Sequence, residues 1–117
     1  MYTTRFPQQF AKAGEELQMT FNITDDSGTP LNVDGATATL KLARLAGDPA
    51  IVTYTDTDGV TLSGSTAVGL IKTADLLDDD SPQNQLFGDF SAQLKIVKAS
   101  QPLYVAEGLI CVDAVIL

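Results

Sequence analysis

Leu17-Gln18-Met19-Thr20-Phe21-Asn22-Ile23-Thr24 alternates a large apolar side chain with a short polar one along its whole length. Successive side chains of an extended chain point to opposite faces, so this octet predicts a β-strand that buries Leu17, Met19, Phe21 and Ile23 on one side. The same period returns in Ala36-Thr37-Ala38-Thr39-Leu40-Lys41-Leu42 and in Phe90-Ser91-Ala92-Gln93-Leu94-Lys95-Ile96, where the even-numbered residues are apolar. Between them, Ile51-Val52-Thr53-Tyr54-Thr55 is rich in β-branched and aromatic residues, and Val60-Thr61-Leu62 and Ala67-Val68-Gly69-Leu70-Ile71 are short apolar runs split by Ser63-Gly64-Ser65. Leu103 to Ala106, Leu109 to Val112 and Ala114 to Leu117 supply a last strand or pair of strands.

Turn chemistry separates these runs, at Asp25-Asp26-Ser27-Gly28-Thr29-Pro30, Gly47-Asp48-Pro49 and Asp56-Thr57-Asp58-Gly59. One helical turn is expected, at Thr73-Ala74-Asp75-Leu76-Leu77, capped by Thr73 with Leu76 and Leu77 facing inward. No segment is long enough for the crossover helices of a parallel sheet. About seven to eight short strands with turns every eight to twelve residues therefore predict an all-β, antiparallel sandwich.

At 117 residues the chain is the size of one domain, and a 44% hydrophobic content suffices for a core without disulfide or metal. It holds 15 acidic and 7 basic residues, a net charge of −8. Phosphate backbones are bound mainly by clustered Lys and Arg, so nucleic acid is not expected as a partner. With no His, one Cys and no Trp, the common nucleophile–base pairs and His/Cys metal cages cannot be assembled within one chain. No catalytic residue, cofactor or metal is assigned, and an enzyme is not expected. Cys111, alone within Leu109-Ile110-Cys111-Val112, is expected as a small buried apolar group. The first ten residues lack the apolar core of a secretory signal and no stretch approaches the roughly 20 apolar residues of a spanning helix, so a soluble protein with no membrane partner is expected.

Four patterns resemble chemistry more than they supply it. Gly59 to Ser65 has the glycine spacing of a phosphate loop but Ser65 where the lysine belongs, and reads as a turn. Asp56-Thr57-Asp58-Gly59 starts like a calcium loop without the later bidentate acid, and a hairpin turn accounts for it. Asp78-Asp79-Asp80 with Asp75 reads as a solvated loop, because adjacent aspartates share one environment and cannot divide acid and base roles. Asn22-Ile23-Thr24 has glycosylation spacing but lies within a predicted strand.

Residues 1 to 16 lack strand or helix periodicity yet hold Tyr2, Phe6 and Phe10, three of the chain's eight Phe and Tyr residues, together with Arg5 and Lys12. Disordered tails are poor in aromatics, whereas a docking arm needs large apolar anchors. The segment is therefore read as an extended N-terminal arm ahead of a sandwich domain at 17 to 117, with Tyr2, Arg5, Phe6, Phe10 and Lys12 as the partner-binding residues. Such an arm is expected to be loose in the free subunit and ordered on a neighbour.

Gly28-Thr29-Pro30-Leu31-Asn32-Val33-Asp34-Gly35-Ala36 resembles the Gly-x-Pro-x-Asp-Leu-Thr-Gly-Ala turn of the immunoglobulin-like N-terminal domain of tailed-phage baseplate upper proteins, a domain that recurs in tail-fibre attachment proteins. Asp58-Gly59-Val60-Thr61-Leu62, the turn at Thr73 to Leu76, Gly88-Asp89-Phe90-Ser91-Ala92-Gln93-Leu94 and Glu107-Gly108-Leu109-Ile110-Cys111-Val112 are similar to later pieces of that domain, in the same order. Asn32, Asp34, Phe90 and Ala92 are this chain's variants of those motifs. The resemblance implies an immunoglobulin-like sandwich made in the host cytoplasm. It also implies a non-enzymatic structural part of the virion, in the tail, baseplate, head-to-tail region or capsid decoration, that associates with other virion proteins or with copies of itself. In that family the domain usually opens a longer chain, and a sequence ending at Leu117 suggests a free-standing accessory subunit. The alternative is a carbohydrate-binding or adhesive sandwich, for which the absence of Trp and the placement of Tyr54 and Tyr104 within strands leave a poor aromatic platform.

Overall fold

The computed structural model describes residues 3–77 and 85–113. Among these the strands are β1 (Thr3–Arg5), β2 (Gln9–Lys12), β3 (Glu16–Asn22), β4 (Thr37–Ala43), β5 (Val52–Thr55), β6 (Val60–Ser63), β7 (Thr66–Lys72), β8 (Gly88–Lys98) and β9 (Gln101–Asp113). They form two sheets: a larger one in the order β1-β9-β8-β4-β5, with β2 also on β9, and a smaller one in the order β3-β7-β6. The expected all-β sandwich is the observed architecture.

Alternation sets which side chains meet between the sheets. Ala38, Leu40 and Leu42 of β4 and Phe90, Ala92, Leu94 and Ile96 of β8 face Met19, Phe21, Ala67 and Ile71 of the smaller sheet, and all are buried. Leu40 pairs with Leu94 across β4 and β8 and with Tyr54 across β4 and β5, which puts it near the middle of this layer. Its methyl reaches so close to Gly69 that a Cβ there would lie 2.9 Å from Leu40 Cδ2. The glycine in β7 is thus a seat for a core leucine.

The last two strands form one long hairpin. The β8–β9 register runs to Lys98 opposite Gln101, across a two-residue turn in which Ala99 and Ser100 both take positive φ, 53° and 64°. A register shift between Ile96 and Val97 absorbs the irregularity.

The N-terminal segment departs from the expected arm. β1 and β2 pair in parallel with β9, Thr3 to Arg5 against Val105 to Glu107 and Gln9 to Lys12 against Ile110 to Asp113. Ala11 is buried, and Phe6 packs on the core with its ring edge-on to Phe21 at 5.7 Å. The segment therefore belongs to the domain's own larger sheet instead of waiting for a neighbour. The sequence concealed this because Pro7-Gln8 divides it into strands of three and four residues, too short for a period to register.

The chain leaves the larger sheet after β2 and enters the smaller one at β3, and buried Thr73 fixes that crossing. Its hydroxyl donates to Glu15 O at 2.7 Å and accepts from Gly14 N–H at 2.9 Å. Thr73 opens a 3-10 turn (Thr73–Asp75) but makes no capping bond to it, a correction to its expected role. Leu76 behind it is buried as expected, while Leu77 is only half-buried.

Tyr54 ties the two sheets together at the opposite edge. From β5 its hydroxyl reaches β7, accepting from Lys72 N–H at 3.1 Å and donating to Asp75 Oδ2 at 3.1 Å. Burial pushes the phenol up to about 12, with the Asp75 carboxylate adding to the effect and the Lys72 backbone bond offsetting part of it. A phenol whose pKa is higher folded than unfolded gives its full stabilisation below about pH 10 and loses it as pH rises toward 12. Tyrosinate absorbance should show a late-titrating component that Tyr54→Phe removes. The same substitution strands the Lys72 N–H and should cost about 1–2 kcal/mol at neutral pH. A variant as stable as the parent, or an absorbance titration unchanged by it, would refute this role.

Candidate functional interface

The outer face of the larger sheet, away from the core, is where the described residues leave most apolar surface uncovered. In register, Ala43 of β4 lies opposite Ser91 of β8, and Ser91 lies opposite Leu109 of β9. Phe10 of β2 lies opposite Cys111, two residues beyond Leu109 and on the same face. Leu45 sits just past the end of β4, in the turn leading to β5. Phe10, Leu109 and Leu45 are 64%, 45% and 68% exposed, three of the four large apolar side chains so exposed among the described residues. A single exposed leucine needs no explanation, but three at one end of one sheet face do.

An open hollow of about 230 Å³ lies between the Leu45 turn and the sheet, bounded by Ala43, Leu45, Ala50, Ser91 and Glu107. Small residues at 43 and 91 leave room that larger ones would fill. Lys41, Asp48 and Gln93 also line the hollow, and Gln93 donates to Glu107 Oε1 at 3.0 Å; nearby, Gln8 donates to Asp89 Oδ1 at 3.0 Å. Arg44 donates to Asp89 O at 3.1 Å and lies 4.4 Å from the centroid of the Phe90 ring.

Cys111 is half-buried on this face, not in the core as the sequence suggested. Its thiol pKa is raised, first by desolvation and then by the neighbouring Asp89 and Asp113 carboxylates, to the second of which it donates at 3.6 Å. A thiol held protonated by two acids is a poor nucleophile at neutral pH.

The residues expected to bind a partner divide. Phe10 is the most exposed aromatic on the outer face, Arg5 is exposed opposite Glu107, and Lys12 is exposed opposite Asp113. Phe6 goes the other way, toward the core, and Tyr2 lies outside the described residues. Leu109 and Leu45 were missed. The signal for Leu109 was present: Leu109-Ile110-Cys111-Val112 is apolar in both phases, which is how a strand covered on both faces reads.

The acidic patterns resolve into turn chemistry where they are described. Asp56 accepts from Ala38 N–H at 3.0 Å, and Asp25 accepts from Ser27 and Thr29 N–H, each at 2.9 Å. Gly59 precedes β6, and Gly64 sits in the β6–β7 hairpin turn with φ +62°. No group of three or more metal-ligating side chains comes together among the described residues; Asp78 to Asp80 lie outside them. No protein-family model matches the chain, and no curated protein sequence matches it.

Proposed function

We propose that this chain is a non-enzymatic structural subunit of a tailed-phage virion that works by protein–protein association through the outer face of its larger sheet. The observation that carries the reading is the cluster of Phe10, Leu109 and Leu45 beside an unfilled hollow, on a sheet whose opposite face already forms a complete core. Exposed apolar side chains grouped this way are characteristic of a surface that another protein covers.

The strand order lends support to the resemblance noted in the sequence. On this reading β3, β7 and β6 take the places of the B, E and D strands of an immunoglobulin-like domain and β4, β8 and β9 those of C, F and G, with β5 added beside β4 and β1 and β2 beside β9. Tyr54 and Tyr104 are both buried, so neither offers a sugar-stacking platform, and association with protein is favoured over carbohydrate binding. The net charge of −8 suits a partner with a basic rim, and association should slow as salt is added.

Phe10→Asp and Leu109→Asp, each at an exposed position, should change stability by under about 0.5 kcal/mol. Both should prevent the chain from entering tailed particles, read by mass spectrometry of density-purified virions. Particles that lack the parent chain, or that take up both variants normally, would overturn the proposal.

A further inference from the structure

Among the described residues the two sheets have four borders, and three of them are protected against pairing with another chain. β5 and β6 have four residues each, and the β1–β2 border is broken by Pro7 and carries Arg5 and Lys12. Short length, proline and charge are the usual devices that blunt a sheet edge. β3 has only one charge, Glu16 at its first residue, and neither of the other two devices. It has seven residues, Leu17 to Ile23 contains no charge, proline or glycine, and no described strand lies on its outer side.

The ladder shows which backbone groups this edge presents. Ile23 N–H donates to Ser65 O, and Thr73 N–H donates to Glu15 O, so the odd-numbered positions face β7. Hydrogen-bonding direction alternates along a strand, which turns the N–H and C=O groups of Gln18, Thr20 and Asn22 outward.

We propose that β3 is the seam of a symmetric dimer of this chain, two copies pairing antiparallel about Met19. That register lays Gln18 of one protomer opposite the partner's Thr20, and Glu16 opposite the partner's Asn22. All the outward-facing backbone groups then meet as hydrogen-bonded pairs. The apolar stripe of Leu17, Met19 and Phe21 continues across the seam, Leu17 opposite the partner's Phe21. The edge is self-complementary, which favours a second copy as the occupant: about Met19 each outward-facing position meets an outward-facing position of an identical strand, and although each chain carries −8, the only charge on β3 is Glu16, whose two copies the two-fold axis sends to opposite ends of the seam. The combined sheet ends at the short β6 of each protomer, so pairing closes at two.

This surface lies on the sheet opposite the one assigned to a virion partner, and its salt dependence has the opposite sign. Screening the like net charges should strengthen the dimer, whereas it should weaken attachment to a basic partner. Sedimentation velocity across a wide concentration series should show a monomer–dimer equilibrium that tightens with salt. Asn22→Glu puts a carboxylate opposite Glu16 at both ends and should raise the dissociation constant about two- to thirty-fold. Adding Glu16→Lys to it should restore or exceed the parent's affinity. Thr20→Pro, which removes an outward donor without touching the β7 ladder, should abolish the dimer, with thermal melts confirming that each variant is folded. A chain that stays monomeric throughout the series, or a dimer unmoved by Asn22→Glu, overturns the proposal. So does a dimer lost instead in Phe10→Asp, since that result would place the seam on the other sheet.

Discussion

Leu40→Ala and Leu94→Ala should each destabilise the fold by about 2–5 kcal/mol, read as a shift in the midpoint of urea unfolding. Both side chains are completely buried, and they lie directly opposite each other on adjacent central strands. Truncating either removes apolar contacts and leaves a hole that the rigid β4–β8 ladder cannot close. Leu40 should be the costlier of the two, because it also fills the notch above Gly69 and packs against Tyr54 on the next strand. Losses below about 0.5 kcal/mol at both sites would be those of surface positions and would mean that the inner and outer faces are reversed.

Those two leucines are legible in the sequence because β4 and β8, with 7 and 11 residues, are long enough for a period of two to declare itself. β4 and β8 bury the residues that their alternation selects, and so does β3 except at Leu17, which is only half-buried. The β8–β9 turn was hidden for a different reason. Two-residue hairpin turns favour Asn and Gly where φ is positive, whereas here Ala99 and Ser100 hold that geometry, so the local signal is absent and the long ladder imposes the turn. Thr73 was misread because a threonine before a short helical segment looks like a cap. Only the fold brings Gly14 and Glu15, 59 and 58 residues away in sequence, to its hydroxyl. The outer-face cluster was half legible: Phe10 stood out as an aromatic without a period, while Leu45 looked like an ordinary loop residue until the fold carried it beside Ala43 and Ser91.

The N-terminal strands give the other large effect, and Phe6 with Gly108 is where it is decided. The Phe6 ring lies over Gly108, where a Cβ would fall 2.4 Å from its Cε1 and 2.5 Å from its Cδ1, too close for any real contact. Gly108 does not have positive φ, so what an added methyl would meet there is the ring and not backbone strain. Gly108→Ala should therefore expel the ring from its contact with Phe21 and cost about 1–3 kcal/mol, as overpacking does. Phe6→Ala should cost about 2 kcal/mol, less than a completely buried phenylalanine, because the ring is only half covered. Combining the two decides between causes. Once the ring is gone, the alanine methyl has open space, so the double variant should be no less stable than Phe6→Ala alone and the cycle should give a coupling of about 1–3 kcal/mol. Hydrogen exchange should report the same event locally, with the Phe6 amide, which donates to Glu107 O at 2.9 Å, losing protection in either single variant while the β4–β8 amides keep theirs. Additive losses in the double variant would mean that the ring does not occupy the glycine's place and that β1 is held by its backbone pairing alone.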